Sequence, residues 1–439
     1  MMLVTRGTSH PLFTHPQPKL RMTKRTPLWL ACLGAAVLCT GSALAQDNKA
    51  LIDALIKKGI LTNDEATQIE KDLAKNNAAI DVSTTKGKYL DKLTISGRFQ
   101  VQYAGLGTGI DGAAANPPST EHFFLRRMYL GAKAELNGGF SGTFNYDFAN
   151  ASLDAAMITY KDSDALVLDV GFRKVPFVYD EFTSSSDIRA IERSPVTRYF
   201  VESNNGRRLG AGSYRTGVFL GGTQSGVFYN VAVTNPERDE FSSLTGNSDP
   251  GVQGAGTKAN NNQSYWANLG YGDKFTGGNY KIGASVGYLP DQGGKTLGAG
   301  DNLTVYGVYT DVQAGGFNFR GEYLWADNPH GVSATQDASP KGYYLQPTYR
   351  VGDFEGVVRY SSLDSDGRGV DLSDGVRSAP SGGTMNKLNE WFVGGNWYIR
   401  GNDVKWQLGY IHAEAKDTVT GGAAKAKTDG VRSQMQLNF

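Results

Sequence analysis

Cysteine is nearly absent from this 439-residue chain: the two present, Cys32 and Cys39, both fall within the first 45 residues. The remainder has no thiol for a disulfide scaffold, a thiolate nucleophile or a cysteine metal site. Histidine is almost as sparse. Beyond residue 45 only His122, His330 and His412 remain, widely separated and without the paired spacing of a metal centre or a hydrolase triad. No run past residue 45 approaches the ~18 apolar residues of a membrane-spanning helix, which excludes a helical membrane protein. An excess of one charge is missing too: Lys+Arg 44 against Asp+Glu 43 gives a formal net charge of +1 and no basic footprint for nucleic acid. No Walker-type phosphate loop is present, and nothing calls for a cofactor or a metal.

What the chain does have is glycine, 56 residues, nearly double the usual ~7%, together with 22 tyrosines and 20 phenylalanines. No Gly-X-Y period runs through it, and hydrophobic residues still make up 40%, so neither a collagen nor a disordered chain fits. The first 45 residues stand apart. Lys24 and Arg25 precede an apolar core from Leu28 to Leu38, and Ala43-Leu44-Ala45 forms a small-x-small cleavage site, the pattern of a secretory signal over 22–45. Met22 then reads as the translation start, with 1–21 an upstream extension. Removing the five basic residues of this leader leaves 39 basic against 43 acidic groups, a formal charge of −4, and no cysteine.

Residues 46–80 read as a short periplasmic helical hairpin. Leu51, Ile52, Leu55 and Ile56 form one apolar stripe, Gly59 suits a helix end, and Thr62 with Glu65 fits a capping box. From Lys92 onward the apolar period changes to two. Leu93, Ile95, Phe99, Val101 and Tyr103 alternate with polar residues; Phe140/Gly142/Phe144/Tyr146, Trp391/Val393/Gly395/Trp397 and Val404/Trp406/Leu408/Tyr410 repeat the pattern. Aromatics recur at strand ends, where a bilayer has its headgroup boundary.

Connections alternate in length. Tight turns at Asn137-Gly138-Gly139, Gln224-Ser225-Gly226, Thr276-Gly277-Gly278, Ala314-Gly315-Gly316, Val351-Gly352-Asp353 and Gly401-Asn402-Asp403 are separated by long polar links. The links run over 107–122, 174–206, 236–263, 290–301, 326–341, 361–388 and 415–428. Short turns on one rim and long loops on the other define an all-β, transmembrane antiparallel barrel over 92–439. Sixteen strands are expected, starting near Lys92, Phe123, Phe140, Leu153, Leu166, Arg207, Val227, Ser264, Asn279, Leu303, Phe317, Gly342, Phe354, Asn389, Val404 and Asp429, enough to enclose water. The final alternation, Val431 to Phe439, ends on an aromatic residue, read as a membrane-insertion signal for the barrel-assembly machinery.

Four stretches then carry a resemblance: Phe124-Leu125-Arg126-Arg127-Met128-Tyr129-Leu130, Gly171-Phe172-Arg173-Lys174-Val175-Pro176-Phe177, Thr183-Ser184-Ser185-Ser186 through Ala190-Ile191-Glu192-Arg193, and Gly394-Gly395-Asn396-Trp397-Tyr398. In order and spacing they resemble the phosphate-selective porin O and P family of bacterial outer-membrane porins. The resemblance implies a sixteen-stranded homotrimer in outer-membrane lipid whose third loop folds into the barrel and narrows it.

The composition of 174–206 suits that role. Lys174, Asp180, Glu181, Asp187, Arg189, Glu192, Arg193 and Arg198 are interspersed with Phe177, Tyr179, Phe182, Ile188 and Ile191, so apolar anchors could seat on the wall while charges border the channel. Further pore-lining candidates are Arg98, Arg126, Arg127, Lys133, Arg207 and Arg208 on strands one, two and six. Neighbours on a strand face opposite ways; Arg127 is expected inward, and Arg126, in phase with Met128 and Leu130, outward near a rim or a subunit contact. Glu181 replaces the lysine that phosphate-specific members carry ahead of the Thr-Ser-Ser run. Links 236–263 and 290–301 hold only Arg238, Lys258 and Lys295 as cations, so no arginine ladder is apparent. Two selectivities stay open: a water-filled channel for passive diffusion of small polar solutes, or one preferring inorganic anions such as phosphate. The rival classes are an outer-membrane enzyme and a structural or adhesive envelope protein.

Overall fold

The glycine turns and the two-residue period fold into a closed wall. The computed structural model describes residues 80–81, 89–236, 262–295, 301–417 and 425–439. The leader at 1–45 and the helical hairpin expected over 46–80 lie outside the described residues, apart from Ile80, which with Asp81 forms a two-residue strand paired with Ile95 and Thr94.

Sixteen long strands form the wall. The first half comprises β1 (Leu90–Ile110), β2 (Thr120–Leu136), β3 (Phe140–Asp147), β4 (Ser152–Ser163), β5 (Leu166–Lys174), β6 (Tyr214–Gln224), β7 (Val227–Thr234) and β8 (Ser264–Phe275). The second comprises β9 (Gly278–Leu289), β10 (Leu303–Ala314), β11 (Phe317–Ser333), β12 (Lys341–Val351), β13 (Phe354–Asp364), β14 (Lys387–Asn402), β15 (Val404–Lys416) and β16 (Lys425–Asn438). Each pairs antiparallel with its sequence neighbour, and β16 returns to β1 in continuous register from Ala426↔Ile110 to Asn438↔Arg98. Closure leaves no long strand edge unpaired, which a sheet in hydrocarbon requires.

The sixth strand differs from expectation. It starts at Tyr214, not near Arg207, so Arg207 and Arg208 belong to the preceding connection. Leu209 and Ala211, set between Arg208, Gly210 and Gly212, imitate the two-residue period of a strand. Positive φ at Gly206 (84°), Gly210 (67°) and Ser213 (68°) breaks the extended path, and the two apolar side chains are buried inside instead.

The outward face is apolar. Leu125, Leu130, Ile158, Leu269, Ile282, Val393 and Leu408 are exposed in the isolated chain. Rings mark both ends of this band: Phe140–Tyr160 and Phe354–Trp397 lie beside short turns, while Tyr360–Trp391 and Tyr306–Trp325 lie toward the long connections, with centroids 4.9, 5.9, 4.7 and 5.2 Å apart. An apolar outer band between two aromatic girdles is the surface pattern of a transmembrane barrel.

Opposite it, the inner face carries Gln100, Gln102, Arg127, Arg359, Lys405, Gln407, Gln434 and Gln436, all buried beneath two connections. Residues 175–213, between β5 and β6, contain α1 (Tyr179–Phe182) and α2 (Pro195–Val201). Ser194 caps α2 by accepting from Thr197 N, and Pro195 suits the first helical position because no partner awaits its missing N–H. Residues 365–386, between β13 and β14, contain α3 (Leu372–Gly375). Val175, Phe177, Val196, Tyr199, Phe200 and Leu372 are wholly buried with wall residues Leu289, Leu324 and Leu388, forming an apolar core.

Candidate ion pathway

The connection 175–213 is held to the wall mainly through its own backbone. Gln100 Nε2 donates to Ser185 O at 3.1 Å, Gln407 Nε2 to Ile188 O at 3.0 Å and Arg189 O at 3.1 Å, and Lys405 Nζ to Ser186 O and Ile188 O. The glutamines also bond one another across β15, β16 and β1: Gln434–Gln407 at 2.8 Å, Gln102–Gln434 at 2.7 Å and Gln100–Gln436 at 2.6 Å. On the other side, Glu322 of β11 accepts from the N–H groups of Tyr179 at 2.6 Å and Asp180 at 3.2 Å. A buried carboxylate that accepts two amides at the start of α1 fixes its position.

Arg126 and Arg127 both face inward, contrary to the alternation expected of neighbours. Gln100 pairs with Arg127 and Val101 with Leu125, so β2 spends an extra residue at Arg126. Such a bulge resets the facing of every residue beyond it. Before it Phe123 and Leu125 face out; after it Leu130 does. Arg127 donates to Gln100 Oε1 at 2.7 Å, and Arg126 Nε lies 2.5 Å from Glu192 Oε1.

Three glutamates of the connection organise the charge. Glu192 pairs with Arg126 and, at 3.3 Å, with Arg377; Glu202 pairs with Arg198 at 2.8 Å, Arg208 at 2.5 Å and Arg377 at 2.6 Å; Glu181 pairs with Arg193 at 2.7 Å and Lys174 at 3.3 Å. Six cations thus share three carboxylates. Burial opposes ionisation of Glu192, but Arg126 and Arg377 outweigh it and hold the carboxyl well below its ordinary range. Glu202 is likewise opposed by burial and drawn by Arg198 and Arg377 down to about 2. The reverse holds for Arg377: burial first, then the neighbouring Arg198 and Arg126, push it down to about 9 against the pull of Glu192 and Glu202.

These groups border a cavity of about 660 Å³ between the connection and strands β2 to β6, whose lining has eight cationic and five anionic side chains. Of the residues singled out in the sequence, Arg126, Arg127, Lys174, Glu181, Glu192, Arg193 and Arg208 line it. The others sit elsewhere. Arg98 bonds Asn438 at 2.8 Å and Ser185 at 2.5 Å; Arg189 lies 3.3 Å from Glu355; Arg207 pairs with Asp374; and Lys133 forms an exposed 2.7 Å pair with Glu135. The sequence reading missed Arg377 as well as Glu202, though not Arg198, one of the charges it read as bordering the channel. Arg198 and Glu202 stand four apart at the end of α2, a spacing that brings a guanidinium and a carboxylate together; Arg377 lies in a Gly/Ser/Asp-rich link with no local signal. The three histidines fall on separate elements: His330 bonds Asp301 at 2.8 Å, His412 bonds Asp429 at 2.6 Å, and the His122 ring lies against Phe124.

A closed sixteen-stranded antiparallel barrel with an apolar outer band and a charged, polar interior defines a porin of the bacterial outer membrane, a channel. The family model for phosphate-selective porin O and P matches residues 93–439, and the chain belongs to that family. No curated protein matches it. Solved structures share the fold at low identity. An anion-selective porin from Comamonas acidovorans superposes with TM-score 0.53 at 12% identity, covering 79% of this chain and 99% of its own. The outer membrane channel DcaP of Acinetobacter baumannii gives 0.51 at 12%, covering 79% and 97%, and Pseudomonas putida OprB gives 0.50 at 12%, covering 78% and 94%.

Proposed function

We propose that the channel prefers anions among the small polar solutes that diffuse through it, and that the inward-folded residues 174–206 form its constriction. The carrying observation is the sharing of three carboxylates, Glu181, Glu192 and Glu202, among Arg126, Arg377, Arg198, Arg208, Arg193 and Lys174. That cluster keeps an excess of three positive charges although the chain without its leader is slightly acidic. Fixed charge at a narrow, partly dehydrated point governs selectivity more than charge spread over the molecule. Arginines suit oxyanions in particular, because the planar guanidinium offers paired N–H donors to two oxygens. The reversal potential across a planar bilayer in a KCl gradient tests the preference, and repeating it in phosphate tests whether oxyanions are favoured over chloride.

The assembly proposed is a homotrimer. In support, the outer face of β1 to β5 has a shallow apolar groove lined by Leu93, Ala132, Ala134, Gly142, Phe144 and Ala156, where small side chains permit close approach. The adjoining strand β3 has only 8 residues. Native mass determination in detergent tests it, and a monomeric mass rejects it.

A further inference from the structure

A second cavity, of about 340 Å³, lies between α1 and strands β7 to β11 and has a different chemistry. It adjoins the short-turn rim: Phe228 is the second residue of β7, Lys281 the fourth of β9 and Arg320 the fourth of β11. Its walls are largely rings. Tyr179 stacks on Tyr309 with centroids 4.4 Å apart and planes within 6°, and Phe177, Phe182 and Phe228 complete the aromatic lining.

Two cations accompany the rings, and their partners differ. Arg320 is committed: it donates to Asp311 Oδ2 at 2.8 and 3.1 Å and to Thr183 Oγ1 at 3.0 Å. Asp311 stands opposite Lys281 in register, but its carboxylate is taken by Arg320, by Asn318 Nδ2 at 2.7 Å and by the Tyr179 hydroxyl at 3.0 Å. Among the described residues the Lys281 ammonium meets only the rings of Phe228, at 5.0 Å, and Tyr179, at 5.8 Å. Asp187, the carboxylate of the lining, accepts from Asn402 at 2.8 Å and Ser186 at 3.1 Å. Tyr179 is held in place by Glu322 and by Val178, whose φ of 64° is a strained value for a β-branched residue.

We propose that this cavity is a subsite for small aromatic carboxylates, with the carboxylate on Lys281 and the ring against Tyr179 and Phe228. An inorganic oxyanion would gain nothing from the rings, and a neutral aromatic would forgo the ion pair with the ammonium. The volume suits a single substituted ring, at the lower end of small-molecule sites. The inference rests on the chain being a channel, not on the charge balance of the constriction, and it names a separate site and a separate ligand class.

Single-channel recording of the full-length protein, with benzoate, cyclohexanecarboxylate or acetate added on the short-turn side, tests it. Benzoate should block at a concentration about fivefold lower than cyclohexanecarboxylate, and acetate should block least, the increment expected of ring stacking. Phe228→Leu should remove the advantage of benzoate while leaving the reversal potential in KCl unchanged; Lys281→Gln should weaken block by benzoate about fivefold. Equal block by benzoate and cyclohexanecarboxylate, or block unaffected in both variants when each still forms conducting channels, would overturn the assignment. A channel that fails to prefer chloride in the gradient yet shows the benzoate pattern would reject the constriction reading and leave this site standing.

Discussion

Arg126 on strand β2 and Glu192 in the connection between β5 and β6 meet with Nε and Oε1 2.5 Å apart, 66 residues apart in the chain. The contact exists because the bulge on β2 turns Arg126 inward, and it joins the wall to the proposed constriction at its most charged point. Both side chains are nearly buried, at 12% and 8% exposure. Removing one partner of such a pair leaves a buried charge and costs about 3 kcal/mol. Glu192→Gln should therefore loosen the connection, seen as added open-channel current noise, and raise anion over cation permeability by removing a negative charge. Arg126→Ala should loosen it as well but lower the ratio. Permeability shifting the same way in both variants would detach selectivity from this pair.

Acid should act in a defined window. The carboxyl of Glu202 has an ordinary value of 4.5 and is drawn to about 2 in the folded channel. A lowered carboxyl contributes stability that is complete above the unfolded value and lost as pH falls through the folded one. The tie between α2 and Arg377 should thus persist at pH 5 and fail between about pH 4.5 and 2. Current traces should be quiet at pH 5 and flicker near pH 2.5, and Glu202→Gln should flicker at every pH. A wild-type transition centred near neutral pH would contradict the assignment.

Lys405 should prove a tether rather than a selectivity residue. Its ammonium serves the Ser186 and Ile188 carbonyls from a fully buried position. Lys405→Met keeps the volume but removes one of two donors from each carbonyl, leaving Gln436 at 3.4 Å from Ser186 O and Gln407 at 3.0 Å from Ile188 O, at about 1 kcal/mol. We expect a lower temperature for the shift from compact to unfolded migration on a denaturing gel. An unchanged temperature would show that the remaining donors suffice.

The barrel seam gives a packing prediction. Gly97 and Phe439 exchange backbone hydrogen bonds of 2.8 and 3.1 Å, and the Phe439 ring lies over the place a Gly97 side chain would occupy. Its other contact is Phe99, with centroids 6.0 Å apart. Gly97→Val must displace the ring, and overpacking of this kind costs about 1–3 kcal/mol. Thermal unfolding of the assembled barrel should fall accordingly, and assembly yield should fall further in a chain lacking Phe439.

The strands were legible because a wall between lipid and water imposes a strict two-residue period and glycine marks its turns; thirteen of the sixteen expected starts lie within two residues of those observed. The failures have local causes. Leu209 and Ala211 imitate a strand between residues of positive φ, and the alternation of β2 conceals a bulge that no composition rule announces at Arg126. Charged residues in 174–206 could be singled out because apolar anchors accompany them, yet their pairing could not, since Arg377 reaches Glu192 and Glu202 only after two connections distant in the chain come together. The lumen's positive balance was therefore hidden behind a nearly neutral whole-chain charge.

The central claim is that this local excess sets the sign of selectivity. The most direct measurement is the zero-current potential of the wild-type channel in a planar bilayer across a tenfold KCl gradient at pH 7, with Arg126→Ala/Arg377→Ala measured beside it. The account predicts a potential of the sign produced by chloride permeating faster than potassium, reduced or abolished in the double variant. A wild-type potential of the potassium-selective sign would contradict it.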